Sequence, residues 1–287
     1  MQTVHDIATL RDALSPHRRA GARIALVPTM GNLHEGHLRL VDEARAQADV
    51  VVATLFVNPL QFAPGEDLDS YPRTLKDDQG ALSARHCDLL FVPSVETLYP
   101  GGLENLSQVH VPIVSEGLCG GARRGHFDGV ATVVSLLFHL VQPDIACFGE
   151  KDYQQLAVIR KLVADLHFPI QIVGVPTVRA TDGLALSSRN GYLTPAERAR
   201  AVAFPRALAR AATAITAGQP TRDALDAARA DLVQAGLTLD YLELRAPDLS
   251  ALEPATSSHA RLLAAVYLGA TRLIDNVDVA LPGADHG

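Results

Sequence analysis

Largely apolar runs of strand length alternate with amphipathic stretches through the first 180 residues, and this alternation limits the fold more than any other feature. Arg23–Val27 (RIALV) and Val51–Val57 (VVATLFV) are such runs. A strand with no polar–apolar alternation is buried on both faces, as in a parallel sheet covered by helices on both sides. Between these two runs, from Gly36 onward, Leu38, Val41, Ala44 and Ala48 share one helical face, while Arg39, Asp42, Glu43 and Arg45 lie elsewhere. Residues 6–20 suit a helix ahead of the first strand. Further along, Asp88–Val92, Ile145–Phe148 and Ile170–Val175 read as strands, and Val130–Val141 and Tyr153–Leu166 as helices. The pattern predicts an α/β fold, a Rossmann-like doubly wound parallel sheet, over residues 1–178.

The texture then changes. Thr194-Pro195-Ala196-Glu197 is a helix start, with a capping hydroxyl, a proline in the first turn and a glutamate three residues after the cap. Alanine-rich helical sequence runs to about Ala235. Tyr241–Leu244, Arg261–Tyr267 and Thr271–Asn276 read as strands, the last two joined as a hairpin across Leu268-Gly269-Ala270. A smaller C-terminal α+β domain over 179–287 is expected, with a loose tail, LPGADHG.

Composition removes several functions. The formal net charge is −7 and there is no basic block, so no nucleic-acid partner is expected, since phosphate neutralisation needs clustered Lys and Arg. Cys87, Cys119 and Cys147 are odd in number and widely spaced, which predicts free thiols in a reducing compartment. The first residues lack a signal-peptide pattern, and no apolar run reaches the length of a membrane span. A cytoplasmic protein is expected, with no membrane association.

In an open α/β sheet, ligands sit outside the carboxyl ends of the strands. Four such ends carry polar groups. The first strand leads into Met30-Gly31-Asn32-Leu33-His34-Glu35-Gly36-His37, and the second into Asn58-Pro59-Leu60-Gln61. The strand at 145–148 leads into Gly149-Glu150-Lys151-Asp152, with Gln155 beyond, and the strand at 170–175 into Val178 and Leu186-Ser187-Ser188-Arg189-Asn190. Outward-facing N–H groups at a helix N-terminus favour anions. Glycines at 31 and 36 let phosphate oxygens approach, and the two imidazoles add donors. This is a phosphate cradle without a P-loop. The histidines lack the His-Glu-x-x-His spacing of a zinc protease, and no third ligand lies nearby.

His34-x-Gly-His37 after a strand resembles the signature of the nucleotidyltransferase and class I aminoacyl-tRNA synthetase superfamily. Within it, VPTMGNLHEGH, FVNPLQF, YPRTL, RRGHFDGV, QPDIACFGEKDYQQL and DGLALSSRNGYL resemble, in order and spacing, the pantoate–β-alanine ligase family over nearly the whole chain. The resemblance implies ATP-dependent condensation of pantoate with β-alanine through a pantoyl adenylate, with release of AMP and pyrophosphate. It also implies a homodimer. Mg²⁺ is implied too, carried on substrate phosphates with few protein carboxylates, so no ligand is assigned.

Carried over by motif position, His34 and His37 bind the triphosphate, with His37 the better proton donor to the leaving pyrophosphate. Lys151 faces the phosphates, and Ser187, Ser188 and Arg189 stand for the synthetases' second signature. Met30–Glu35, Gly36, Gly149, Glu150, Asp152, Val178 and Leu186 complete the nucleotide site. Gln61 and Gln155 hold pantoate, Gln155 sharing a helix face with Lys151 one turn before it. Asn58 is a substrate contact or a helix cap, and Asp152 a ribose contact or a cap. Arg123 is a substrate contact or a solvated loop residue. Family members commonly carry Arg-Pro-Gly-His-Phe where this chain has Arg123-Arg124-Gly125-His126-Phe127, and losing the proline should loosen that loop. Two other functions compete: a nucleotidyltransferase that leaves the nucleotide on its product, and a non-catalytic nucleotide sensor.

Overall fold

The computed structural model describes residues 1–253 and 257–282; most of the expected loose tail, from residue 283, lies outside them. The chain divides into two compact units. One comprises 1–150 and 154–176, the other 151–153 and 177–287.

The first unit contains strands β1 (Gln2–Val4), β2 (Ile24–Thr29), β3 (Val50–Leu55), β4 (Leu89–Phe91), β5 (Ile145–Gly149) and β6 (Gln171–Val175). Its helices are α1 (Ile7–Arg19), α2 (Glu35–Gln47), α3 (Leu75–Ala84), α4 (Val95–Leu98), α5 (Leu118–Ala122), α6 (His126–Val141) and, apart from its first residue, α7 (Tyr153–Asp165). The six strands form one sheet in the order β1-β4-β3-β2-β5-β6, and every pairing is parallel. Because successive side chains point to opposite faces, Ala25 and Val27 of β2 join Val51, Ala53 and Ile145 in a core shared with Leu40, Val41 and Ala44 of α2. Ile24 and Leu26 face the other way and are equally buried. On the helical layers, α2 packs against β2, β3 and β5, and α6 packs against β2 and α1. Burial on both faces is why these strands read as unbroken apolar runs.

Strand order reverses between β2 and β5. Their ladder holds two rungs, Ala25 with Ile145 and Leu26 with Ala146. Beyond these, β2 continues to Thr29 and β5 to Gly149 without pairing to each other, so the strands part at their carboxyl ends. That is the switch-point crevice where such sheets bind ligands.

The second unit contains α8 (Pro195–Ala201), α9 (Ala203–Thr216), α10 (Thr221–Gln234) and an antiparallel sheet of β7 (Thr238–Arg245), β8 (His259–Leu268) and β9 (Thr271–Ala280), in the order β7-β8-β9. Phe204, Leu208 and Ile215 of α9 share a core with Leu232 of α10 and with Leu262, Ala264 and Val266 of β8. The Thr194 hydroxyl accepts from the Glu197 N–H at 3.3 Å while the Glu197 carboxylate accepts from the Thr194 N–H at 2.9 Å, completing the expected capping box. The hairpin between β8 and β9 turns on Gly269 and Ala270, with Gly269 at φ +60°, a left-handed conformation that suits glycine.

Several expectations change. Helix α6 starts at His126 rather than Val130, because Gly129 is helical and packed. Strand β1 and helices α3, α4 and α5 were not expected. Lys151–Tyr153, placed by sequence with the first domain, belong to the second unit: Asn276 Nδ2 donates to the Lys151 carbonyl at 3.0 Å, the Tyr153 hydroxyl donates to the Pro247 carbonyl at 2.8 Å, and Arg261 lies over the Tyr153 ring.

Candidate active site

The loop after β2 is shaped by a carboxylate from elsewhere in the chain. Asp78, in the first turn of α3 and 3% exposed, accepts from the N–H groups of Asn32 and Leu33 at 3.1 and 2.8 Å and from the Thr74 hydroxyl at 3.1 Å. It holds Asn32 at φ +51° behind Gly31 at φ +94°. A Cβ on Gly31 would stand 3.2 Å from an Asp78 oxygen, so Gly31 serves close approach as well as conformation. Asn32 and Leu33 lie in the stretch expected to form a phosphate cradle, ahead of the helix N-terminus whose N–H groups were assigned to the anion. The structure spends the amides of Asn32 and Leu33 on Asp78, because a buried carboxylate needs donors. Spacing could not show this, since Asp78 lies more than 40 residues downstream.

The histidines cap α2. The Gly36 N–H donates to His34 Nδ1 at 3.1 Å and the His34 N–H donates to His37 Nδ1 at 3.3 Å, a reciprocal capping box made of imidazoles. Their rings lie 4.1 Å apart, tilted by 34°. An Nδ1 that accepts a hydrogen bond carries no proton, so each neutral ring holds its hydrogen on Nε2. Both therefore present an N–H donor from the edge opposite the cap, while the caps secure their orientation.

Asn58 and Gln61 sit after β3. Asn58 is 1% exposed, and its Oδ1 accepts from the Tyr99 hydroxyl at 2.7 Å and the Leu60 N–H at 3.3 Å. Its Nδ2 donates to the Gly129 carbonyl at 3.0 Å and to Gln61 Oε1 at 3.2 Å. Of the two roles open to Asn58, the geometry shows the cap, with the side chain also bracing Gln61. Burial raises the Tyr99 phenol well above its ordinary range, keeping it a donor. With Oε1 of Gln61 fixed by Asn58, its amide nitrogen faces Met30 Sδ at 3.0 Å.

The adjacent glutamines of α7 separate. Gln154 is buried and ties the 114–119 segment, accepting from the Cys119 N–H at 2.9 Å and donating to the Val114, Glu116 and Gly117 carbonyls. Gln155 is half-buried, and its amide makes no hydrogen bond among the described residues. Lys151 lies in a single 3₁₀ turn, Glu150–Asp152, ahead of α7, so it and Gln155 do not share one continuous α-helix as expected.

In the second unit, Lys151 Nζ lies 3.6 Å from the Asp152 carboxylate. Val178 and Leu186 pair through their main chains, the Leu186 N–H donating to the Val178 carbonyl at 2.9 Å. The Ser187 hydroxyl accepts from the Arg189 N–H at 3.3 Å and caps the 3₁₀ helix Ser188–Tyr192. That small loop rests on an ion pair the sequence did not reveal. Arg179 donates through both terminal nitrogens to Asp275, at 2.6 and 2.9 Å, where the carboxylate is 1% exposed. The paired carboxylate raises the Arg179 pKa, and the charge stays fixed.

Of the two readings of Arg123, the structure does not show the solvated loop side chain. Arg123 forks onto Glu66, 2.7 Å from each nitrogen to oxygen, and also donates to the Gln61 carbonyl at 3.2 Å. Burial works against charge on Glu66, but the Arg123 hydrogen bonds and charge hold its carboxyl below the usual range. Directly after Arg124, which stands where the family commonly has proline, Gly125 at φ +79° caps α6.

A doubly wound parallel sheet with a His-x-Gly-His helix start at its switch point defines the nucleotidyl-transferring α/β class. Comparison with known proteins narrows it. The family model described as pantoate-beta-alanine ligase matches residues 2–278. A pantothenate synthetase of Chromohalobacter salexigens is 63% identical over 98% of this chain and all of its own length, and one of Pseudomonas aeruginosa is 58% identical with the same coverage. The crystal structure of the pantothenate synthetase of Thermus thermophilus superposes with a TM-score of 0.90 at 47% identity, covering 98% of this chain and all of that one. The enzyme of Francisella tularensis, complexed with beta-gamma ATP and beta-alanine, gives 0.82 at 33% identity, covering 96% and 97%. The chain belongs to the pantoate–β-alanine ligase family. It is a ligase that joins pantoate to β-alanine to form pantothenate.

Proposed function

We propose that the ligation uses ATP and runs through a pantoyl adenylate. Pantoate's carboxylate attacks the α-phosphorus and pyrophosphate leaves; β-alanine's amine then attacks the acyl carbon and AMP leaves. The observation that carries this reading is the imidazole capping box: with both Nδ1 atoms occupied by backbone N–H groups, His34 and His37 offer Nε2–H donors. Oriented donors stabilise charge that develops on a polyphosphate and cost no reorganisation during reaction. Such transfer needs positioning and neutralisation more than a protein nucleophile. The ATP complex of the Francisella relative supports the choice of nucleotide.

His37 is the donor to the leaving pyrophosphate, with His34 beside it. Lys151 and Arg189 supply cationic charge, and Ser187 and Ser188 hydroxyl donors. Residues 30–36, Gly149, Glu150, Asp152, Val178 and Leu186 shape the nucleotide site. Gln61 and Gln155 hold pantoate through uncharged amides, which orient a carboxylate without quenching it as a salt bridge would. Asn58 acts through Gln61. Mg²⁺ enters on the triphosphate as part of the substrate. The donor set suits that: among the described residues no three His, Cys, Asp or Glu side chains cluster to hold an ion, and Asp78 is consumed by backbone donors. The active form is a homodimer in the cytoplasm, a compartment that suits three cysteines outside any disulfide.

Pantoate labelled with ¹⁸O in its carboxylate tests the route. Transfer of one label to AMP, with AMP, pyrophosphate and pantothenate formed in equal amounts, is expected. Label in inorganic phosphate, or a stable adenylylated product without free AMP, would refute it. Replacing His37 or Lys151 by Ala should slow adenylate formation by roughly 10²-fold or more with the fold intact.

A further inference from the structure

The groups around Gln61 point to a role for residues to which the proposed chemistry assigns none. The main chain of Gln61 is held as firmly as its side chain. His126, at the first residue of α6 and 9% exposed, places Nδ1 2.7 Å from the Gln61 carbonyl oxygen. An oxygen there can only accept, so the Nδ1 carries the proton. The opposite nitrogen, Nε2, lies 2.9 Å from Arg123 Nη1. A guanidinium can only donate, so Nε2 is the lone-pair side. One neutral tautomer satisfies both contacts. Arg123 in turn donates to the same carbonyl at 3.2 Å and is anchored by its fork onto Glu66. Glu66 completes the circuit, accepting from the Ala63 N–H at 3.2 Å, so the segment leaving Gln61 is tied back to the residue that grips it.

We propose that His126, with Arg123 and Glu66, is a positioning latch for Gln61 that sets affinity for the hydroxy-acid substrate. This rests on the reading that the Gln61 amide holds pantoate's carboxylate. The carbonyl of Gln61 receives one imidazole and one guanidinium donor, while Asn58 fixes the side-chain amide from the other end. Rotation of the Gln61 peptide is thereby blocked, and the amide nitrogen keeps a single direction. The latch contacts given above run to Gln61 and Ala63 and between its own members, so its effect is expected on the acid more than on ATP. A side chain that merely supported the fold would alter stability and both Michaelis constants together.

The test uses the full-length enzyme with separate titrations of pantoate and ATP. His126→Leu removes both contacts. It is expected to raise the pantoate KM about tenfold, the cost of about one lost hydrogen bond to a positioned group, with kcat and the ATP KM within about twofold. His126→Asn puts an amide N–H where Nδ1–H was, and is expected to recover most of the loss. Arg123→Met serves if His126→Leu does not fold, with the same direction and a smaller rise. Gln61→Ala separates the two layers of the argument. If it raises the pantoate KM and His126→Leu added to it causes no further rise, the latch acts through Gln61. If Gln61→Ala raises the pantoate KM but folded His126→Leu or Arg123→Met leaves it at the wild-type value, the latch is overturned and the reading of Gln61 stands. If Gln61→Ala itself leaves the pantoate KM unchanged, that reading falls and the latch falls with it.

Discussion

Replacing Gly129 by alanine puts the packing argument to its sharpest test, because two effects of known size oppose each other. Gly129 lies in α6, and a helical Gly→Ala change ordinarily stabilises by up to about 1 kcal/mol. Here an added Cβ would stand 2.3 Å from the Leu60 carbonyl oxygen, 2.5 Å from its carbon and 2.7 Å from the Gln61 nitrogen. All three are main-chain atoms, so no side chain can swing away. A carbon beside a carbonyl oxygen rests at about 3.3 Å, which requires a displacement of about 1 Å. Helix α6 is buried along most of its length, so the one-turn 3₁₀ helix Pro59–Gln61 is the part that yields, and Gln61 moves with it. Overpacking of this kind costs about 1–3 kcal/mol, outweighing the helical gain. A 1 Å misplacement of a positioning group costs up to about 10²-fold in rate. Gly129→Ala is therefore expected to lower the melting temperature and to raise the pantoate KM by at least tenfold. Thermal denaturation followed by circular dichroism, with steady-state assays on the folded protein, gives both quantities. A variant that melts at or above the parent and binds pantoate normally would refute the close approach of α6 to the Leu60–Gln61 peptide.

Asp78→Asn replaces a carboxylate that accepts three hydrogen bonds with an amide whose NH₂ faces donors. It should destabilise by about 1–3 kcal/mol and raise the ATP KM more than the pantoate KM, read by the same two assays. Arg179→Met strands the Asp275 carboxylate in the second unit and should cost roughly 3 kcal/mol by denaturant titration; removing both charges together, as Met and Leu, should cost less than the single change. Burial pushes the Cys87 thiol up to about 11 and the Cys147 thiol up to about 12, so both should resist a thiol-specific disulfide reagent at pH 8 until the protein is denatured. An unfolded thiol ionises near 8.5, so above that pH the unfolded chain releases protons the folded one retains. Stability contributed by these two groups is complete below pH 8.5 and falls as pH rises towards 11–12. Cys87→Ala with Cys147→Ala should flatten that alkaline limb in pH-dependent melts.

Local signals were legible and distant ones were not. The strands β2, β3 and β5 could be read because burial on both faces leaves no polar–apolar alternation in them, Thr54 being buried with its neighbours. The helix start at Thr194 could be read because a capping box lies within four residues. His34 and His37 were visible as a pair, but their mutual capping of α2 was not, since imidazoles seldom take that part. Strand β1 escaped notice because three residues, one of them buried, make no pattern. Helix α3 escaped because Asp77, Asp78, Gln79 and Gly80 interrupt its apolar face. Asp78 and His126 could not be found from spacing: their partners at 32–33 and 61 lie 45 or more residues away in the chain. The place of Lys151–Tyr153 was hidden for the same reason, as Asn276 and Pro247 hold them from far along the chain.

The short strand at Gln2–Val4 has a practical corollary. It occupies the rim of the six-stranded sheet and pairs with Leu89–Phe91, three residues that are all buried. Pared back by four residues, the polypeptide would uncover a row of unpaired amides and carbonyls beside greasy side chains, a template for stacking one molecule against the next. Shortened versions intended for crystallisation should leave that first strip in place, or the preparation will precipitate as it is concentrated.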